Sequence, residues 1–138
     1  MINANSCAIT RDAMIGEEIE AVHWIQTQDL NPYGFAFGGM IMSKFDEIAT
    51  LLAVRVTRRN CVTARVAGIS FLASVQLGDM MRLKAIVKNI GRTSIRIEVS
   101  IYKLGRSDTE EILVSPPTEV VMVAMDDSFK PTPIVMEV

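Results

Sequence analysis

The pattern of apolar positions changes twice along the chain, from a period of two to helical spacing and back to a period of two. A run at helical spacing follows a double glycine and predicts a helix over residues 38–57, apolar around most of its circumference and therefore buried on all sides. Its main apolar positions are Ile41, Phe45, Ile48 and Leu52. Before it, residues 17–26 alternate as a strand does. From Cys61 onward the pattern predicts strands.

The second half of the chain predicts an antiparallel sheet. Residues 61–75 carry β-branched side chains at strand-like density, and a Leu-Gly-Asp turn separates them from a strand over residues 80–89. The next segment, TSIRIEVSIYKL, alternates apolar and polar positions most regularly. These last two segments therefore predict an antiparallel hairpin.

The last predicted strand follows a polar loop. Residues 105–118 contain Pro116-Pro117, and such a pair is typical of a loop. The six apolar residues that follow Glu119 predict a strand covered on both faces.

One strand, one long helix and several antiparallel strands predict an α+β fold in which the sheet wraps around a central helix. The 138 residues fit one domain, with a core over about residues 15–130 between a flexible leader and a Pro-containing tail. Edge strands of such a sheet have unpaired backbone groups. Pairing of these edges between two copies predicts a homodimer.

Composition and charge exclude several classes of protein. A net charge of -2 without a large basic cluster argues against a nucleic-acid partner. Cys7 and Cys61 are too few and too far apart for a zinc site or a disulfide framework, which favours free thiols in a reducing cytosol. No apolar run approaches the roughly 18 residues of a membrane span, so we expect a soluble cytoplasmic protein without a membrane partner.

An aspartate interrupts the predicted helix at position 46. Aspartate is unfavourable within a helix, and Asp46 lies too far from the N-terminus to cap it. It falls on the shoulder of the apolar face, where the small Ala49 and Ala53 leave space beside the carboxylate. Such an acid can act as a general base or a nucleophile. The alternative is structural: a hydrogen bond to a buried loop, or a pair with an arginine.

The double glycine, Gly38-Gly39, also has two interpretations. The commoner is that glycine lets the backbone turn tightly into the helix. The other is that the free N–H groups at the helix start hold the oxyanion of a thioester carbonyl, which can approach closely because no Cβ is present.

Three motifs in this order resemble the hotdog-fold acyl-CoA thioesterases, especially bacterial broad-specificity acyl-CoA hydrolases and vertebrate cytosolic ones. They are NPYGFAFGGMIMSKFDEI, GISFLASVQLGD and GRTSIRIEVSIY. The resemblance implies a sheet wrapped around one helix, and two chains whose sheets join in a homodimer. In that family, dimers commonly assemble into trimers of dimers. It also implies hydrolysis of an acyl-CoA thioester to free acid and CoA, with no metal and no cofactor.

The resemblance assigns roles to individual residues. Asp46 matches the catalytic carboxylate, Asn31 the asparagine that works with it from the other subunit, and Gly39 the oxyanion donor. Phe37 stands where some relatives have His and others Phe, and Thr93 resembles a position that orients water or substrate. The other candidates for contacts with CoA are Gly38, Arg58, Arg59, Lys88 and Arg92. The four basic residues are candidates for the phosphates, although ordinary surface charge also explains each of them.

Two other functions are consistent with the sequence besides an enzyme. One is a hotdog module that binds or senses acyl-CoA without turning it over, and the other is a purely structural subunit. The presence of both Asn31 and Asp46 favours the enzyme. His23, on the first predicted strand, is expected to lie far from these motifs as a satisfied core or interface histidine, which disfavours the histidine-dependent hydratases of this fold.

Overall fold

The computed structural model describes residues 10–134. Its elements, in chain order, are α1 (Arg11–Met14), β1 (Glu18–Trp24), α2 (Gly38–Thr57), β2 (Asn60–Val66), β3 (Met80–Ile90), β4 (Ser94–Leu104) and β5 (Ile112–Met125). A 3-10 turn, Thr27–Asp29, follows β1. The predicted helix and the predicted hairpin, now β3 and β4, are both confirmed.

The five strands form one antiparallel sheet in the order β1-β3-β4-β5-β2. Alternate side chains on β3, β4 and β5 are buried beneath α2, as the period of two requires. The helix packs against all five strands. A sheet wrapped around one long helix, the fold class expected from the sequence, is therefore confirmed. β1 and β2 are its edge strands.

The expectation that α2 is buried on all sides is wrong for a single chain. The face toward the sheet is buried, with Phe45 and Leu52 each 1% exposed. The opposite face has open apolar side chains because the five strands cover only one side of the helix. These exposed positions are Met42, Leu51 and Val54.

The Pro-Pro pair lies inside a strand rather than in the predicted loop, since β5 already begins at Ile112. Where β4 advances by two residues, β5 advances by three between Ser115 and Thr118, which makes a bulge at Pro116 and Pro117. A bulge tolerates proline, which has no N–H to donate to the ladder. The end of β5 also buries one face instead of the predicted two, because residues 120, 122 and 124 are buried while their neighbours are half-exposed.

The predicted strand over residues 61–75 is shorter than expected. β2 ends at Val66, and residues 67–76 run irregularly beside β5. Two backbone hydrogen bonds hold this segment there, from Ala67 N–H to the Glu119 carbonyl (2.9 Å) and from Leu72 N–H to the Val114 carbonyl (2.7 Å).

Parts of the leader and the tail pack onto the domain. Met14 in α1 is buried, and Gly16 N–H donates to the Val87 carbonyl (2.9 Å). In the tail, Ile134 is buried and its N–H donates to the Arg92 carbonyl (2.9 Å). The remaining leader and tail residues, and with them Cys7, lie outside the described residues. Within residues 10–134 no helix has the length and apolar character needed to cross a bilayer.

The contrast between buried and exposed leucines gives a test of this packing. Leu52→Ala should lower the free energy of unfolding by about 2–5 kcal/mol, because the lost side chain leaves a cavity between α2 and the sheet. The same change at Leu77, which is 54% exposed in a turn, should cost less than about 0.5 kcal/mol. Urea unfolding at one protein concentration measures both. Equal losses would contradict the described core.

Candidate active site

Asp46 lies on the shoulder of α2, half-buried, above the fully buried Ala49 and Ala53. Its Oδ1 accepts a hydrogen bond from the Thr63 hydroxyl at 2.5 Å. No lysine or arginine among residues 10–134 forms an ion pair with it. The arginine pair considered as a structural explanation is thus absent from the described chain. One carboxylate oxygen is oriented by Thr63, and the other can meet a ligand.

Thr63 is a site residue that the sequence reasoning missed. It stands on β2, an edge strand, and its hydroxyl also lies 3.4 Å from the sulfur of Met122 on β5. Asp46 and Thr63 are 17 residues apart in the chain, so only the packing of the helix on the strand brings them together. No local pattern in the sequence marks such a pair.

Asn31 lies in a tight loop before α2. Its side-chain oxygen accepts the N–H groups of Tyr33 (2.9 Å) and Phe35 (3.1 Å), and its backbone N–H donates to the Phe35 carbonyl (2.7 Å). Because the oxygen is bound inside the loop, the orientation of the side chain is fixed. The NH₂ group is left as the part of the amide that can donate to a ligand.

The start of α2 presents N–H groups without intrahelical acceptors. Phe37 is the N-cap residue and supplies no side-chain cap, and the first N–H bonded to its carbonyl is that of Ile41 (3.1 Å). A Cβ on Gly38 would lie 3.4 Å from the Phe71 ring, whereas a Cβ on Gly39 would meet nothing within 4 Å. The space beside Gly39 is therefore open to a ligand.

Asp46 and Gly39 of one chain cannot serve the same carbonyl group. They are seven residues apart on α2, which is about 10 Å along the helix axis. Helical N–H groups point toward the N-terminal end, so an oxygen bound by Gly39 would lie still farther from Asp46. The described chain thus holds the candidate site residues in two separate groups. We call Asn31, Gly38 and Gly39 the donor half-site, and Asp46 and Thr63 the carboxylate half-site.

Asp29 is buried directly before the donor half-site. Its Oδ2 lies 2.8 Å from His23 Nε2 and accepts the Gln26 N–H at 2.8 Å. Burial raises the pKa of Asp29, but the hydrogen bonds from Gln26 and His23 and the positive charges of His23 and Lys44 outweigh it, so the pKa lies below its ordinary value. His23 is satisfied as predicted, but the expectation that it lies far from the motifs is wrong, because its partner lies two residues before Asn31.

The other candidates lie outside the two half-sites. Thr93 is in the turn between β3 and β4, where its carbonyl accepts the Ala124 N–H at 2.8 Å. Arg58 and Arg59 end α2, beside an open cleft of about 340 Å³ that Asp126 also lines. Lys88, near the end of β3, and Arg92, next to Thr93 in the turn between β3 and β4, are both exposed. Within residues 10–134, no hydrogen bond or ion pair is seen between any of these candidates and Asp46, Asn31 or Gly39.

Comparison with known proteins identifies the family. Residues 33–109, more than half of the chain, match the model of the thioesterase superfamily. The chain belongs to this superfamily. Acyl-CoA thioester hydrolase YciA of Salmonella typhimurium is 32% identical over 108 residues, which cover 77% of this chain and 81% of that protein. The uncharacterized acyl-CoA thioester hydrolase YkhA of Bacillus subtilis is also 32% identical, over 77% of this chain, but the match spans only 61% of YkhA.

Solved structures agree with the expected hotdog fold. An apo-hexameric acyl-CoA thioesterase superposes with a TM-score of 0.79 and 31% identity, covering 86% of this chain and 74% of that one. An acyl-CoA hydrolase of Staphylococcus aureus, in complex with butyryl-CoA, CoA and CoA disulfide, gives a TM-score of 0.78 and 28% identity over 86% and 71% of the two chains. The family and fold expected from the sequence are confirmed.

The Staphylococcus aureus enzyme has also been solved with single alanine replacements of an asparagine, an aspartate and a threonine. In that enzyme the three positions follow one another at intervals of 15 and 17 residues. Asn31, Asp46 and Thr63 follow one another at the same intervals.

The lowered pKa of Asp29 predicts how stability depends on pH. Because the folded pKa lies below the unfolded value of 3.8, the carboxylate stabilises the fold above that pH, and this contribution is lost as pH falls through the folded pKa. Wild type should exceed Asp29→Asn in unfolding free energy at neutral pH, and the difference should shrink below about pH 4. Urea unfolding of both proteins across this range measures it. A difference that grows in acid would contradict the assignment.

Proposed function

We propose that this protein hydrolyses acyl-CoA thioesters to a free acid and CoA at a carboxylate site shared between two copies of the chain. The observation that carries the proposal is the half-buried Asp46 carboxylate, with one oxygen held by Thr63 at 2.5 Å and no basic partner among the described residues. A carboxylate that is oriented but not neutralised is suited to act as a base or a nucleophile. The names of the relatives and the shared spacing of Asn31, Asp46 and Thr63 support it.

The sharing follows from the separation of the half-sites. One chain holds Gly39 and Asp46 about 10 Å apart, with the helix N–H groups directed away from the carboxylate. A thioester bound to Gly39 of one chain therefore needs the carboxylate of another. We infer that Asn31 and Gly39 of one subunit face Asp46 and Thr63 of its partner.

Two surfaces suit a second copy of the chain. The edge strand β2 is largely exposed from Thr63 to Val66, with unpaired backbone groups along its free side. The open face of α2 has the apolar Leu51 and Val54. Pairing of β2 with its copy and burial of this helix face would close both surfaces in a symmetric dimer. Assembly of dimers into a trimer of dimers is part of the proposal, and the hexameric relative supports it.

In the proposed reaction the carbonyl oxygen of the thioester accepts the Gly39 N–H, and the Asn31 amide positions water or substrate. In one route, Asp46 takes a proton from water as the water oxygen attacks the carbonyl carbon. The carbon–sulfur bond then breaks, and the CoA thiolate takes that proton. In the other route, the carboxylate attacks directly, CoA leaves, and water hydrolyses the resulting anhydride. Both routes consume one water and yield an acid and a thiol.

The remaining contacts of CoA are proposed from charge and position. Arg58 and Arg59 lie about 18 Å from Asp46 along α2, and with Lys88 and Arg92 they could bind phosphates. Gly38, Phe37 and Thr93 are proposed to contact the substrate. Two further arginines lie near these residues: Arg11 donates to the Ile90 carbonyl, and Arg55 lines a cleft together with Arg58. We also propose a reducing cytoplasmic setting, which the buried free thiol of Cys61 supports.

Substitutions in the carboxylate half-site test the chemistry. Asp46→Asn should lower kcat on a short acyl-CoA by about 10²–10⁴-fold, because the base or nucleophile is lost. Thr63→Val should lower it by about 10-fold or more, because the carboxylate loses its oriented hydrogen bond. Thr118→Val is the matched control, since that hydroxyl donates to the Pro116 carbonyl on β5 (2.8 Å), away from both half-sites.

A thiol-reporter assay with a panel of acyl-CoAs measures these rates, with light scattering as a check on assembly. Unchanged kcat in Asp46→Asn would refute the assignment. Tight acyl-CoA binding without turnover by the wild type would instead support a sensing module.

Mixed dimers test whether the site is shared. Asn31→Ala and Asp46→Ala chains should each be inactive alone, whereas a purified dimer of one chain of each kind should regain one of its two sites, about half of wild-type activity. Two different affinity tags isolate the mixed dimer. Recovery of less than a few per cent, with the mixed dimer intact, would argue that each site lies within one chain.

A further inference from the structure

Asp29 connects three parts of the molecule. Its carboxylate binds the Gln26 N–H and His23 Nε2, each at 2.8 Å, and so joins the 3-10 turn to β1. Its backbone carbonyl accepts the N–H of Phe37 at 2.9 Å, and Phe37 is the N-cap residue of α2. The residue is only 8% exposed. A buried aspartate thus fixes the chain at the entrance to the helix.

The bond between Asp29 and Phe37 closes the loop that carries the donor half-site. Asn31 comes two residues after Asp29, and Gly38 directly follows Phe37. Inside this closure, Leu30 and Ala36 form a β-bridge. The distance between the Asn31 amide and the free N–H groups of Gly38 and Gly39 is therefore set by the position of the Asp29 backbone.

The side chain of Asp29 is what holds that backbone in place. With the carboxylate ionised it can only accept hydrogen bonds, so His23 Nε2 carries the hydrogen and donates. His23 itself is anchored in β1, opposite Met81 of β3, within the sheet. The donor half-site is thereby attached to β1 through one side-chain hydrogen bond and one backbone hydrogen bond in series, while a second backbone hydrogen bond joins Ala36 N–H to the Val75 carbonyl (2.8 Å).

We propose that Asp29, held by His23, is a positioning residue for the hydrolysis reaction, which sets the Asn31 amide and the α2 N-terminus in reacting geometry. This inference rests on the proposed function but assigns no chemical step to either residue. Displacement of reacting groups by about 1 Å can cost about 100-fold in rate, so loosening this attachment should appear in kcat.

A series of variants measures the effect on turnover. Asp29→Ala and His23→Leu each remove one side of the hydrogen bond and should lower kcat by about 10- to 100-fold, while KM changes less than about threefold. His23→Gln should stay within about threefold of wild type, since its amide N–H reaches about as far as Nε2 and can donate. Asp29→Asn keeps an accepting oxygen without the charge, so its kcat should lie between that of wild type and that of Asp29→Ala. Asp108→Ala is the control, because Asp108 caps Gly105 N–H (2.7 Å) in another loop.

Mixed dimers separate positioning from general loss of stability. Asp29→Ala should regain activity when paired with Asp46→Ala, because the partner then supplies an intact donor half-site and the Asp29→Ala chain supplies its carboxylate. It should regain none when paired with Asn31→Ala, because both chains then lack a working donor half-site. A general loss of stability in the Asp29→Ala chain would affect both pairs alike. Equal recovery of activity in both pairs would therefore overturn the inference.

Hydrogen exchange gives a readout that does not depend on activity. In Asp29→Ala and His23→Leu, amides of residues 30–39 should exchange at least about tenfold faster than in wild type, while those of residues 45–57 should not change. Unchanged exchange over residues 30–39 would overturn the inference even if Asp46 proves catalytic. Full turnover by Asp46→Asn would defeat the proposed function while the exchange result stands.

Discussion

The direction of the backbone N–H groups in α2 is the constraint on which this structure depends. The helix is a 20-residue element packed on the sheet, with its free N–H groups at one end and Asp46 about two turns inward. Those groups point out of the helix and away from the carboxylate. The N–H groups and the carboxylate on one helix therefore face different volumes, and the site proposed here needs a second helix.

This constraint connects catalysis to assembly. A single chain leaves several features open to a partner: the edge of β2, the apolar face of α2, and the side chains of Asp46 and Thr63. A partner that covers the apolar face would also deliver its own donor half-site. The hydrogen bond from Thr63 orients the carboxylate before any partner or substrate arrives. Asp29 and His23 do the corresponding work for the donor half-site, with contacts made inside one chain.

The sequence predicted those parts of the structure that depend on local periodicity. The ends of α2, the β3–β4 hairpin and the half-buried position of Asp46 on the shoulder of the helix follow from local sequence patterns. The Pro116-Pro117 bulge was missed because pairing of β5 with β4 before and after the two prolines overrides the local preference of proline for a loop. Thr63 was missed because it meets Asp46 only after α2 has packed on β2. The Asp29–His23 pair was missed because it depends on how the 3-10 turn folds back onto β1, which the alternation of residues 17–26 does not show. The helix face predicted to be buried is open in the single chain because the five strands cover only one side of α2, which the apolar spacing of the helix does not indicate.

The most direct test of whether Gly39 of one subunit and Asp46 of its partner meet the same carbonyl group is a crystal structure with a carba analogue of butyryl-CoA, in which CH₂ replaces the thioester sulfur. We expect the carbonyl oxygen at about 2.9 Å from Gly39 N of one subunit. Asp46 of the partner should lie within about 3–4 Å of the carbonyl carbon, or of a water molecule that contacts this carbon. A carbonyl bound to Gly39 and Asp46 of the same chain, or to neither residue, would contradict it.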